Sequence, residues 1–240
     1  VIRILQKVVD GATKTLTRLH DQSTDPDEQE RYREAFKMLK RRWNVIVLDC
    51  DAMNAFVHPL LPGHIFFLTG LVGPEADFTD EEIAMVCAHE LSHALLQHGR
   101  ESLASQGMVV GLKMAVLTAL DPSGILSLVV ELLLGPATTV GLELPFSRSH
   151  ETEADHMGAQ ILADSCFDLV KASGFFDKLA SMPESDGAVW TSTHPHPAHR
   201  AKKLLDLSQD PALLALNAEC EEVKDTLAKA GFWNIFKQTE

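Results

Sequence analysis

Tyrosine is almost missing from this chain. Its 240 residues hold one, Tyr32, so a mechanism that needs a tyrosine beside its reacting atoms has a single candidate, in a polar N-terminal stretch. Cysteine is scarce too: Cys50, Cys87, Cys166 and Cys220 lie far apart with no Cys-x-x-Cys pair. That spacing argues against a thiolate zinc site and a thioredoxin-like motif, and leaves disulfides open without indicating one. A Gly-x-Ser-x-Gly elbow and a glycine-rich phosphate loop are both lacking. Positive charge is in deficit, with 21 Lys and Arg against 34 Asp and Glu for a net −13, and only Lys40-Arg41-Arg42 gathers it. A chain so charged repels phosphate backbones, which argues against nucleic acid as a partner. No signal or transit segment is visible, and the N-terminal valine suggests a trimmed or processed form.

What is present suffices for a core. With 45% hydrophobic residues, one domain of about 200 residues plus tails is expected. Residues 1–20 and 27–42 have helical spacing and are broken by Asp21–Pro26. Trp43–Asp49 and His64–Thr69 read as two short strands of a small sheet, separated by a stretch with Pro59, Pro62 and Gly63. Thr79-Asp-Glu-Glu82 is a capping box that opens an apolar-periodic helix running to Gly99. Further helices are expected over 148–164, 167–182 and from 198 onward. Residues 108–134 are the most apolar, but Lys113, Asp121 and Glu131 would each cost about 2.5–3.5 kcal/mol at a bilayer centre. Asp-Pro-Ser-Gly in its middle signals a turn, so the segment reads as a helical hairpin. That hairpin serves as a lid or core element, or rests its apolar face on a membrane surface.

The helix after Thr79 carries His89-Glu90-Leu91-Ser92-His93. Residues four apart lie about 40° apart around a helix, so both imidazoles project from one face and can close on one ion. Neutral imidazoles suit zinc, and Glu90 flanks the metal where it can take a proton from water. Cys87 is about 200° round from His89 and cannot pair with it as a nucleophile. His98 lies nine residues from His89, about 180° round the same helix, and is expected to point away. Position 99, where a metzincin would need its third histidine, is glycine.

The third ligand is expected from Ser147-Arg-Ser-His-Glu-Thr-Glu-Ala-Asp155. Glu151 and Asp155 are again four apart, so Glu151 can reach the ion while Asp155 accepts the N–H of a ligand histidine. Glu153 is turned about 200° from Glu151 and is not expected on the same ion. Two histidines and a glutamate leave a fourth position open, the arrangement of a catalytic zinc site.

These motifs, followed by Ser192-Thr-His-Pro195 and Arg200, resemble the gluzincin family that contains the CAAX prenyl protease, the HtpX heat-shock protease and the periplasmic protease BepA. Upstream, Asn54-Ala-Phe56 and Gly63–Gly70 match the family's strand before the catalytic helix. Trp190, the Asp121-Pro-Ser insert and the Ala163-x-x-Cys166 segment are closest to its mitochondrial, stress-activated inner-membrane branch.

The resemblance implies an α+β, mainly helical zincin with a small sheet beside the His-Glu-x-x-His helix. It implies one Zn2+ per chain on His89, His93 and Glu151, with Glu90 as general base and acid. His194 and Arg200 match family positions, as oxyanion donors or, for His194, as a reversible fourth ligand that keeps the enzyme latent. His196 and His199 do not match, and a solvated loop is their default. The edge strand that receives substrate in zincins would be His64–Leu71, with His64, Ile65, Phe66 and Phe67.

The expected organisation is an N-terminal helical segment over 1–42, a metallopeptidase domain over 43–206 and a C-terminal helical segment over 207–240. The expected function is a zinc endopeptidase acting on membrane-associated or unfolded proteins in quality control, with homo-oligomers open. It would sit on the intermembrane-space side of the mitochondrial inner membrane, although a bacterial periplasmic member would carry the same motifs. The alternative is a zinc-binding scaffold or chaperone-like module with a blocked site.

Overall fold

The computed structural model describes residues 1–104, 108, 148–182, 190, 194 and 197–229. The apolar segment 108–134 lies outside the described residues except for Met108, which is exposed. Among the described residues no helix is long and apolar enough to cross a membrane.

Two helices open the chain. Helix α1 (Ile2–Gln22) buries Leu5, Val8, Ala12 and Leu16, one stripe at three- and four-residue spacing. Helix α2 (Pro26–Leu39) starts where Asp25 accepts the N–H of Asp27 and Pro26 takes the first turn. Three strands follow: β1 (Asn44–Leu48), β2 (Ala55–Val57) and β3 (His64–Leu68), in the order β1-β3-β2. Strand β1 runs parallel to β3, and β2 antiparallel with Phe56 opposite Phe66.

The expectation that His64–Leu71 forms a free edge is therefore corrected. His64, Ile65, Phe66 and Phe67 belong to the central strand, paired on both sides, and the strand gives way after Leu68 to the helical turn α3 (Thr69–Val72). Strand β2, which takes the edge nearer the histidine helix, has three residues, too few to show an alternating pattern.

Helix α4 (Asp80–Leu95) is the centre of the molecule. Thr79 and Glu82 form the reciprocal capping box, and every residue from Glu82 to His93 is buried. Around it pack α1, β2, α5 (Arg148–Asp164) and α6 (Leu169–Ser181). Helix α7 (Pro197–Leu207) lies on α5 and α6, and α8 (Pro211–Lys229) on α5. The α1–α5 contact is polar at one point, where Thr15 donates to Asp164 at 2.6 Å and Arg18 pairs with the same carboxylate at 2.9 Å.

Helix α4 does not run to Gly99 as its apolar pattern suggests. Its cap is Leu96, and Gln97 takes a left-handed conformation at φ 60 before residues 98–104 turn helical again. A second left-handed residue, Cys166 at φ 63, follows α5 and is joined to Cys220 of α8 by a disulfide across a separation of 54 residues. Opening a loop of that length frees the unfolded chain, so replacing both cysteines with serine is expected to lower stability by up to about 4 kcal/mol. A lower denaturant midpoint at unchanged slope would show it.

Candidate metal centre

Helix α4 carries His89 and His93 on the side facing the first turns of α5, which supply Glu151 and Asp155, and Glu90 on the neighbouring side toward β2. Together with His194 they form a closed cluster. One nitrogen or carboxylate oxygen from each of His89, His93, Glu151 and His194 lies within 4.8 Å of all the others, and all four residues are buried. Nε2 of His93 is 3.0 Å from Nε2 of His89, which is 3.3 Å from Nδ1 of His194. Oε1 of Glu151 is 3.2 Å from Nε2 of His93 and 3.1 Å from Nδ1 of His194. Ligands about 2.0–2.1 Å from a tetrahedral zinc ion stand about 3.3 Å from one another, so these residues fit zinc in donor type and in spacing.

Glu90 is fully enclosed beside this group. Its Oε2 accepts the backbone N–H of Val57 in β2 at 3.1 Å, while Oε1 accepts no hydrogen bond from the described residues and faces Nε2 of His194 at 3.4 Å. Burial raises the Glu90 pKa. Val57 was not legible as a site residue, because a backbone N–H leaves no mark in a sequence.

Behind the ligands, Asp155 Oδ1 stands 3.1 Å from Nδ1 of His89. Arg200 sends Nη2 and Nε to Asp155 at 2.7 and 3.0 Å and Nη1 to Glu151 at 3.0 Å, with its guanidinium over the Phe176 ring. Its side chain is 5% exposed. This corrects the expectation of Arg200 as an oxyanion donor in the cleft: it is locked to two carboxylates on the far side of the ligands. Helix α7 begins at Pro197, one residue before the expected start, and its packing on α5 and α6 turns Arg200 inward. His199 is exposed, and His196 lies outside the described residues.

The charges follow the packing. Burial opposes ionisation of Glu151, but hydrogen bonds from His194, His89 and His93 hold its carboxyl far below the usual range. Burial likewise opposes Asp155, which Arg200 and His89 nonetheless bring down to about 2. His89 is pressed down by burial and Arg200, yet its bonds to Asp155 and Glu151 lift it to about 9. Burial and the neighbouring His89 keep His93 well below the ordinary histidine value. Cys87, driven up to about 12 by burial, is inert as a nucleophile.

His98 overturns its sequence reading. The left-handed Gln97 folds the chain back, so His98 is buried with Nδ1 2.9 Å from Nδ1 of His93 and Nε2 3.2 Å from Oε2 of Glu153. An ideal helix would have turned it away; the chain leaves the helix two residues earlier. Trp190, also buried, packs its ring 4.7 Å from that of His194 and 5.0 Å from Phe175.

A helix bearing two histidines one turn apart with a glutamate beside the first, closed by a glutamate from a second helix, defines a zinc metallopeptidase of the gluzincin type. Comparison with known proteins agrees. Residues 26–208 match Peptidase family M48. The mitochondrial metalloendopeptidase OMA1 of Danio rerio is 32% identical over 193 residues, 77% of this chain and 39% of that protein. The OMA1 of Schizosaccharomyces pombe is 30% identical over 75% of this chain and 50% of its own length, and the Escherichia coli metalloprotease LoiP 26% identical over 68% and 62%. The chain thus spans half or less of the two OMA1 relatives. It belongs to peptidase family M48, a zinc metalloprotease family.

Proposed function

We propose that this chain is the catalytic domain of a zinc endopeptidase that cuts unfolded or membrane-associated proteins in quality control or stress response. The observation that carries the reading is Glu90, enclosed, raised in pKa and next to a buried set of four converging ligand residues. His89, His93 and Glu151 are the ligands of this proposal, and Asp155 fixes the tautomer of His89 by accepting its Nδ1–H. Zinc, when bound there, supplies a Lewis acid for the scissile carbonyl and makes water more acidic. Glu90 takes the proton of the attacking water and hands it to the departing amine. Arg200 holds Glu151 and Asp155 in place.

Strand β2 is the proposed substrate edge. The N–H of Val57 turns away from β3 toward Glu90, so by strand alternation the backbone of Ala55 faces the same side, where Asn54 Oδ1 accepts its N–H at 3.0 Å until a substrate replaces it. An extended peptide added there pairs through its backbone, which asks little of its sequence. Mass spectrometry of a digested unfolded protein tests this: internal cuts at varied sequences are expected, and trimming only at termini would contradict it.

His194 gives the site a closed state. Its Nδ1 stands among the ligand atoms while its Nε2 faces Glu90. With His194 in that fourth position neither attacking water nor substrate carbonyl has a place, so the proposed enzyme is latent until His194 leaves. His194→Ala is expected to raise basal cleavage on the order of tenfold, by filling the competent state. A fall in rate at full zinc loading would assign His194 to oxyanion binding instead. The same contact is what a blocked scaffold would show, and the Glu90 variant considered below separates the two.

The names of the OMA1 relatives support a mitochondrial setting, within which the proposed place is the intermembrane-space side of the inner membrane; the Escherichia coli relative supports a bacterial setting, for which the periplasm is the proposed alternative. Membrane contact through 108–134 is part of this proposal, and flotation with liposomes checks it.

A further inference from the structure

His98 is spare in the reading so far: buried, not among the metal-ligand atoms, and joined at both nitrogens. From the geometry we infer that His98 is a positioning residue for zinc, holding ligand His93 through a three-residue chain that ends at Glu153. The inference rests on the assignment of His93 as a ligand through Nε2, the atom that lies 3.0 Å from Nε2 of His89 and 3.2 Å from Glu151.

That assignment fixes every proton in the chain. A ligating Nε2 must present its lone pair, so the single proton of neutral His93 sits on Nδ1. The atom facing it at 2.9 Å is Nδ1 of His98, which must accept and therefore carries its own proton on Nε2. That proton is donated to Oε2 of Glu153 at 3.2 Å. The reverse direction would put the His93 proton on Nε2, pointing at the ion. Glu153 is thereby given a task although it faces away from Glu151, and Arg31 of α2 stands 3.8 Å from the same oxygen. The two histidine ligands are served differently: His89 donates directly to Asp155, whereas His93 reaches its carboxylate through an intervening imidazole. His150 stacks on His98 with ring centroids 4.2 Å apart and nearly parallel planes, fixing the plane of the relay.

Outer partners of ligand histidines set their orientation and basicity, and losing one typically weakens metal binding on the order of 10- to 100-fold. The experiment uses the full chain and measures zinc affinity by competition with a chromophoric chelator, with the melting temperature of each chelator-stripped protein beside it. His98→Phe keeps a ring for packing on His150 but cannot accept from His93, and is expected to bind zinc on the order of 10- to 100-fold more weakly. His98→Asn offers a carbonyl oxygen to His93 and an amide N–H to Glu153, and is expected to recover most of that affinity even where its stripped form melts lower. Wild-type affinity in His98→Phe would overturn the inference. So would zinc affinities of the two variants that merely follow their stripped melting temperatures. Failure of the wild type to bind zinc would instead overturn the proposed function, which keeps the two results apart.

Discussion

Glu90→Gln is expected to slow peptide cleavage by about 10²- to 10⁴-fold while leaving one zinc per chain in place. Glutamine has nearly the same volume, and its amide oxygen can accept the Val57 N–H that Oε2 accepts now, so the buried surroundings stay satisfied. What it cannot do is take a proton from water and return one to an amine. The native carboxyl is fully buried, and burial raises its pKa above the ordinary carboxylate value, which favours its holding a proton taken from water. Steady-state cleavage of an unfolded protein, with zinc measured on the same sample, reads both halves. Cleavage that survives the substitution would remove Glu90 from the mechanism; zinc binding with no cleavage in either form would favour the scaffold reading.

Glu151→Ala is expected to empty the site. Glu151 is the negatively charged member of the cluster and stands within 3.5 Å of a ring nitrogen of His194, His89 and His93, so its loss removes a ligand and the group that gathers the others. Zinc at about 100 times its Kd stabilises a folded protein by about 2.7 kcal/mol. For a domain of this size that is a rise in Tm of about 5–11 °C. The wild type should show this rise on adding zinc to the stripped protein, and Glu151→Ala should show none. An equal rise in the variant would place the metal elsewhere.

The cluster was legible because its chemistry is written in residue types at helical spacing. His89 and His93 share a face by rotation alone, and Glu151 with Asp155 repeats the spacing on a second helix. The capping box at Thr79 and Glu82 announced the helix that carries the first pair. Two kinds of information were out of reach. One is backbone conformation at single residues: the left-handed Gln97 brings His98 onto His93, and no periodic pattern anticipates a glutamine at φ 60. The other is non-local pairing: β2 is too short to advertise itself, yet its insertion beside β3 turns the expected edge strand into a central one. Arg200 belongs with these, since the docking of α7 on α5 and α6, and not its match to a motif, decides that it faces Asp155 and Glu151. The pairing of Cys166 with Cys220 was equally hidden, being set by the docking of α8 on α5.

The central claim is that one zinc ion, held by His89, His93 and Glu151, makes this domain a peptidase. Its most direct test is a titration of the chelator-stripped full chain with zinc, following cleavage of an unfolded protein at each addition. Activity should rise in step with bound metal and level off at one zinc per chain. Cleavage that is present before zinc is added, or that stays absent after one equivalent is bound to both wild type and His194→Ala, would contradict the claim.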